Sequence, residues 1–600
     1  MVLLVRYFDN LDEIYLSIVI SRLQEIRERQ YKTAHQGSLR TTSVGLNNWS
    51  RRTSMIWKCL QPKPGLTPYI KMQLPKCLLL FFLLAACADG LNILVWSPTY
   101  GQSHVNFMGN IADTLHETGH NVTMLLVEND ADVHGAGSRH AKIRRYRSPL
   151  VSDDEWANLH FKKANIFRLR TFELGDYLRM ESVNYRICKS MLEDEAFLAE
   201  LRDPNYDLAI VEMFHFCPAG IAHLARIPKI VLASALGITM AHYEFTGLPI
   251  QLSNTPAFLS EYATQMSFAQ RLFNVLYYFI QKTLYLRMYY SEQYLFSHHI
   301  SSNFPDLYQL FRQKTDYILL NTNEFTDAAR PLTPNIKYIG GANIGEAKAL
   351  PHDLEEILSV PNKGVVLFSL GSIVKSGEMP LTIREAFVRA FSRFPEYIFI
   401  WKDDLESVNL VQLPANVHIR SWLPQVDLLA DRRMRAFITH GGMNSIQESL
   451  YFGVPMVVMP IFADQDGNAA LASERGYAVK LSKFAVTEET IVEALQKVFG
   501  TGDSSSKYAK KALQASRLLQ GSPARMREEI RRVARFSGEE TARLQHLIVN
   551  SELPIWQYYN LDVYFYLFFS CLIGLGIAKA LASFGPSAKQ PTEVSPSLKK

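Results

Sequence analysis

The run Phe437-Ile438-Thr439-His440-Gly441-Gly442-Met443-Asn444-Ser445-Ile446-Gln447-Glu448 constrains this chain more than any other stretch. The residues before His440 fit a buried strand that empties into a glycine turn. Gly441 and Gly442 let backbone approach a ligand closely and tolerate the positive φ such turns often need. Asn444 and Ser445 read as caps of a helix start, whose free N–H groups and positive dipole end suit phosphate oxygens. A second apolar run, Pro455-Met456-Val457-Val458-Met459-Pro460, follows and leads to the polar pair Asp464-Gln465. In an open α/β sheet, ligands bind outside the carboxyl ends of the strands. The segment therefore reads as a diphosphate site.

Strand and helix signals alternate on both sides of it. Leu91–Trp96, Val122–Val127, Tyr206–Val211 and Ile230–Ala233 read as strands, with a helix over His104–Thr118 broken by Gly119. A second set runs Gly364–Ser369, Tyr397–Trp401, Val417–Ser421, Ala436–Thr439 and Met456–Met459. This alternation implies two parallel, doubly wound sheets, and 600 residues are ample for two domains. Arg330–Asn335 and Gly340-Gly341 read as the linker between them. With 63 basic and 58 acidic residues, the net charge of +5 gives no footprint for nucleic acid. Of the cysteines Cys59, Cys77, Cys87, Cys188, Cys217 and Cys571, only Cys188 and Cys217 lie in the body. They suffice for one disulfide or two buried thiols, but not for a disulfide framework or a zinc site.

The chain ends carry addresses. Residues 1–71 are charged and patchy, with one helical pattern around Leu11–Gln30, and read as an extension without a folded role. Met72 opens a short basic-then-apolar stretch ending in Ala86-Cys87-Ala88, the layout of a secretory signal peptide over 72–88. Near the other end, Val563–Phe584 is apolar enough to span a bilayer, and Lys579 near its end can snorkel. Ser551–Asp562 lacks Lys and Arg, whereas the tail carries Lys589, Lys599 and Lys600. The positive-inside rule then puts the tail in the cytoplasm and the body in the lumen. Phe268–Tyr290, rich in Phe, Tyr and Leu, reads from composition as an amphipathic core helix; contact with the membrane surface or with the acceptor is the alternative.

Trp422-Leu423-Pro424-Gln425 extends the glycine segment upstream, and from Trp422 to Gln465 the chain resembles the nucleotide-sugar signature of the UDP-glycosyltransferase family. Leader first and anchor last, it looks like an animal, endoplasmic-reticulum member, and an invertebrate one. The resemblance implies the glycosyltransferase-B fold: two Rossmann-like domains facing one cleft, plus a single C-terminal transmembrane helix. The expected layout is an acceptor domain over 89–340, a UDP-sugar domain over 341–535, a return helix and juxtamembrane segment over 536–562, the span over 563–584 and a cytoplasmic tail over 585–600.

The family's roles carry over residue by residue. Trp422 would stack on uracil, and Gln425 and Glu448 would bind ribose hydroxyls. Ser372, His440 and Asn444, with the Gly441-Gly442-Ser445 helix start, would hold the diphosphate. Asp464 and Gln465 would bind hexose hydroxyls. His104, just after the first strand, matches the general base, an imidazole being neutral and basic near pH 7. Its carboxylate partner would be Glu212, where vertebrate members carry Asp; Asp207 reads as structural. The implied reaction is an inverting hexosyl transfer from a UDP-sugar, UDP-glucose favoured over UDP-glucuronate, to a small lipophilic hydroxyl compound, as in detoxification. No metal cofactor is implied, because the helix start and His440 would stabilise the departing UDP. Expected partners are the UDP-sugar, the acceptor and membrane lipid, with a homo-oligomer left open.

Other readings compete. Taken singly, Glu448 is a capping-box partner of Ser445, Asp464 a turn cap and Trp422 a core residue. His116-Glu117-Thr118-Gly119-His120 fits the H-E-x-x-H zinc pattern, but Gly119 and the following strand place His120 beyond the helix. Asp464-Gln465-Asp466 has the D-x-D form of metal-dependent transferases. A catalytically inactive, lipophile-binding membrane protein is the non-enzyme alternative. Asn121-Val122-Thr123 is a glycosylation sequon on a strand expected to be buried, so modification there is expected to be poor. N-terminal sequencing of the mature protein is expected to find Asp89 or a close neighbour; residues 1–71 on the mature chain would contradict this.

Overall fold

The computed structural model describes residues 90–583 apart from 158–165, 169–173, 240–241, 244–245, 372–373, 375–378, 404–411, 501–505 and 540–553. The leader, the extension and the tail lie outside the described residues, and so does Ser372. Residues from Gly90 onward form one body holding two parallel sheets.

The first sheet runs β3-β2-β1-β4-β5-β6-β7. Its strands are β1 (Asn92–Pro98), β2 (Asn121–Val127), β3 (Lys142–Tyr146), β4 (Leu208–Glu212), β5 (Lys229–Ser234), β6 (Thr315–Leu320) and β7 (Ile336–Tyr338). The second runs β10-β9-β8-β11-β12-β13. It comprises β8 (Gly364–Ser369), β9 (Tyr397–Lys402), β10 (Val417–Arg420), β11 (Met434–Thr439), β12 (Met456–Val458) and β13 (Ala478–Lys480). The central strands β4, β6, β8 and β12 are buried along their whole length, as parallel strands covered on both faces must be. In each sheet the strand order reverses once, between β1 and β4 and between β8 and β11. Those reversals open crevices at the carboxyl ends of the strands.

The helices that matter below are α1 (Gln102–His116), α2 (Leu174–Glu193), α3 (Cys217–Leu224), α4 (Phe268–His299), α5 (Met443–Phe452), α6 (Gln465–Glu474), α7 (Ser522–Glu539) and α8 (Leu561–Ser583). β3, β6, β7 and β13 were not foreseen. β7 lies between the two stretches expected as the linker, so the chain there completes the first sheet instead of merely joining domains. The helix returning to the first half is α7, which starts ahead of the expected boundary at 536. Its Met526, Ile530, Val533 and Ala534 pack into the core beside α1 and beneath β4, β5 and β6. The spacing of those four residues is one face of a helix.

Two open questions close. Cys188 on α2 and Cys217 at the start of α3 form a disulfide with Cα atoms 6.0 Å apart. Asp207 accepts the Asn92 N–H at 2.8 Å and is structural. Two expectations are corrected. Asn121 is the exposed first residue of the otherwise buried β2, with its amide bonded to Asn92, so burial does not hide it. α4 is a core helix only in its second half, where Tyr285, Met288, Glu292, Leu295 and Phe296 are buried. In its first half Phe268, Leu272, Phe273, Leu276, Phe279 and Ile280 are exposed.

α8 is long and apolar enough to cross a membrane and is not packed inside the protein. Just ahead of it, Tyr558 donates to the Gly247 carbonyl at 2.5 Å. The segment after Gly247 is in turn held by α4, since Asn274 donates to the carbonyls of Leu252 and Thr255. The apolar face of α4 therefore lies on the part of the fold to which the apolar C-terminal helix is tied. Deleting residues 561–600 is expected to release the body from membranes only partly, and complete solubility in low salt without detergent would contradict that second contact.

Candidate active site

The reversal in the first sheet brings the proposed base and its partner together. β1 and β4 pair in parallel, with Trp96 opposite Val211, so the loop after Pro98 and the end of β4 emerge side by side. Glu212 is the buried last residue of β4. His104 lies in the first turn of α1, where Gly101 supplies an extended N-cap. Its Nδ1 meets Glu212 Oε1 at 2.6 Å. Enclosure pulls the imidazole pKa down, but the charge and hydrogen bond of Glu212, with Asp464 beyond, outweigh it and hold the pKa above its usual value. Glu212 Oε1 also accepts the Ala235 N–H at 3.3 Å, while its buried Oε2 has no hydrogen-bond partner among the described residues. An unpaired buried acceptor costs about 1–3 kcal/mol. Phe214, two residues on, lies against both Tyr100 and His104, with ring centroids 4.7 and 5.4 Å apart.

The second sheet supplies the other wall. His440 follows β11, and the loop after β8 passes beside it. Gly371 and Gly441 have φ +84° and +86°, in the left-handed region. A Cβ on Gly371 would lie 2.7 Å from the His440 ring, and one on Gly442 2.5 Å from it, so the imidazole is sheathed by two glycines. Enclosure, with the charge of Lys402, pushes the His440 pKa down to about 4. At neutral pH it is thus an uncharged N–H donor. The N-cap of α5 is Gly442, extended at φ −60° and ψ 142° and without a side-chain cap. This corrects the expectation that Asn444 and Ser445 cap the helix. Both lie inside it, so Glu448 is not a capping-box partner either. Asn444 Oδ1 accepts from Asn321 at 2.9 Å, a bond between the two domains.

Gln425 leads a short helix facing α5. Its amide donates to Glu448 at 2.7 Å and to Ser445 at 3.3 Å. Burial pushes the Glu448 carboxyl up to about 7, the Gln425 bond drawing it partly back. Trp422 is 75 % exposed, which removes the core reading. Ahead of α6, Ala463 takes φ +58°. That rare non-glycine conformation precedes Asp464, whose pKa is raised by enclosure, against the Asn468 hydrogen bond and the charge of His104. Asn468 bonds both Asp464, at 2.6 Å, and the Gly441 carbonyl, at 3.1 Å. Gln465 is buried, its Oε1 accepting the Ile461 and Phe462 N–H groups.

Lys402 escaped the sequence reading. Its ammonium lies 4.9 Å from the Trp422 ring centroid and donates to the Gly371 carbonyl at 2.8 Å. The only signal was its place at the carboxyl end of an apolar run. The H-E-x-x-H pattern dissolves: α1 ends at His116, Gly119 turns the chain at φ +90°, and His120 Nδ1 accepts the Leu91 N–H.

The model for the family described as UDP-glucoronosyl and UDP-glucosyl transferase matches residues 92–584. The chain belongs to that family. A Bos taurus protein, UDP-glucuronosyltransferase 3A1, is 31 % identical over 485 residues, covering 78 % of this chain and 88 % of its own. A Caenorhabditis elegans protein, putative UDP-glucuronosyltransferase ugt-50, is 28 % identical over 513 residues, covering 83 % and 95 %. Among solved structures, the calicheamicin glycosyltransferase CalG4 aligns with a TM-score of 0.51 at 18 % identity, over 76 % of this chain and 100 % of its own. At that identity the likeness is one of fold, and the fold is glycosyltransferase-B. As a UDP-glycosyltransferase, the chain is a glycosyltransferase that takes its sugar from a UDP-sugar.

A carboxylate accepts hydroxyl hydrogens more strongly when it is ionised. UDP affinity, measured by titration calorimetry, is therefore expected to weaken as the pH falls through about 7, by at most about tenfold per unit. Glu448→Gln is expected to lower the affinity and flatten that dependence. A wild-type affinity unchanged between about pH 8 and about pH 5.5 would contradict the assignment.

Proposed function

We propose that this UDP-glycosyltransferase moves a hexosyl group, glucose in preference, from its UDP-sugar to the hydroxyl of a small lipophilic acceptor with inversion at the anomeric carbon. The observation that carries this reading is the 2.6 Å contact between His104 and Glu212, with Asp464 of the other domain close enough for its charge to act on the imidazole.

His104 Nε2 takes the acceptor proton as the new C–O bond forms and the bond to UDP breaks. Glu212 holds the ring through Nδ1 and balances the imidazolium charge. On the donor side Trp422 stacks on uracil, and Gln425 and Glu448 take the ribose hydroxyls. His440, Asn444, Ser372, Lys402 and the Gly441-Gly442-Ser445 helix start bear on the diphosphate, whose charge grows as it leaves. Asp464 and Gln465 address the hexose hydroxyls, Gln465 through its amide nitrogen. No metal ion has a part in this scheme. The preference for glucose rests on Glu212, where vertebrate members carry Asp, and on the overall divergence from the vertebrate motifs. The alternative donor, UDP-glucuronate, is favoured by the names of the relatives. One membrane assay with both UDP-sugars competing decides between them.

The apolar C-terminal helix and the exposed face of α4 support a membrane-bound enzyme in contact with lipid. With the leader and the charge asymmetry, they favour a single-pass protein of the endoplasmic reticulum with a lumenal body.

His104→Ala is expected to lower turnover by about 10²–10⁴ while leaving UDP affinity nearly intact, because the donor site lies in the other domain. Glu212→Gln is expected to be severe. Glu212→Asp draws the carboxylate back by about 1 Å, and such misplacements can cost about 10²-fold; a partial loss in kcat is expected with donor KM little changed. Wild-type turnover in both Glu212→Gln and Glu212→Ala would remove Glu212 from the dyad. Because the His104 pKa is raised and the base must be unprotonated, kcat/KM is expected to fall on the acid side at a pH above that of an ordinary histidine.

A further inference from the structure

A second buried histidine–carboxylate pair stands directly behind the first. Glu292, on the buried half of α4, is 1 % exposed. Its Oε1 lies 3.0 Å from His215 Nδ1, and its Oε2 accepts the backbone N–H groups of Phe216 and Cys217 at 2.7 and 2.8 Å. Those two N–H groups open α3, whose own N-cap residue, Phe216, provides no side-chain cap. A carboxylate from a helix some eighty residues further along the chain thus does the work of the missing cap, with its charge at the positive end of the helix.

The turn it grips runs straight out of Glu212. Met213 to Phe216 join the dyad carboxylate to α3, and Phe214 in that turn is the ring laid against His104. The grip is reinforced on each side. Phe216 packs on Tyr285 and Tyr289 of α4, the Cys188–Cys217 disulfide ties the start of α3 to α2, and Gly220 leaves no room for a side chain against Phe296.

We propose that Glu292 is a positioning residue for the transfer step, holding the 213–217 turn so that Glu212 and Phe214 keep the His104 ring in its working orientation. The inference rests on His104 acting as the base. Because Glu292 is buried and the proposed donor site lies in the other domain, its effect is expected in turnover and not in donor binding.

Three variants of the full-length, membrane-bound protein test it. Glu292→Ala removes the grip, and Glu292→Asp shortens its reach by about 1 Å, a shift that can cost up to about 10²-fold in geometry-sensitive steps. Glu292→Gln keeps it, since its carbonyl oxygen still accepts from Phe216 and Cys217 while its amide donates to the other tautomer of His215. Expected is a loss in kcat of about tenfold or more for Ala and Asp, with donor KM and UDP affinity within about twofold, and recovery to within about threefold of wild type for Gln. Turnover within twofold of wild type for Asp would overturn the proposal. So would a Gln variant as impaired as Asp, or a loss of UDP affinity in step with turnover. Should the Ala variant fail to accumulate, Asp and Gln decide alone. His104→Ala measured in parallel separates the two readings: full activity there defeats the base, whereas a crippled His104→Ala beside a healthy Glu292→Asp defeats only the brace.

Discussion

The contact between His104 and Glu212 depends on two parallel strands being neighbours at the one place where their sheet reverses its order. β1 delivers the loop that leads to His104, and β4 ends on Glu212, in register with it. Were another strand between them, the residues would stand two strand spacings apart, about 10 Å, and no hydrogen bond would form. Much of the first domain serves that adjacency. Apolar cores cover both faces of the sheet, α7 closes one of them from the far end of the chain, and α4 backs the turn that follows Glu212.

The second domain solves a different problem with the same topology. Its reversal between β8 and β11 places two glycine turns around His440, and these leave the ring neutral and the helix start bare. An anion is then met by N–H dipoles, with Lys402 as a cation close by. Contacts between the halves hold the walls together. Asn321 bonds Asn444 and Gln447, and Glu474 at the end of α6 accepts from Thr264 and Gln265 in the loop before α4. The helix that begins beside Asp464 is thereby latched onto the first domain.

The sequence was most legible where one residue type answers one physical demand. Continuous apolar runs ending in Gly or a polar residue identified the buried strands β4, β8 and β12, though not β6, and the glycine pair marked the turn beside His440. Short or edge strands such as β3, with its run Lys142-Ile143-Arg144-Arg145-Tyr146, carry no such signal, because an edge strand is only half covered. Capping was misread because Asn and Ser are good caps in general, whereas here an extended Gly442 starts the helix and frees Asn444 for Asn321. Lys402 and Glu292 were invisible for a common reason. Each acts across a long sequence separation, through partners that only the fold brings near. The disulfide could not be told from two thiols until α2 and α3 were seen side by side.

If one imidazole takes the acceptor proton while UDP departs from the opposite face, the anomeric carbon must invert in a single step. Proton NMR of the product formed from an α-linked UDP-sugar reads this directly from the anomeric coupling. The account predicts a β-glycoside as the sole first-formed product; an α-glycoside would mean two displacements or a front-face route, and would contradict it.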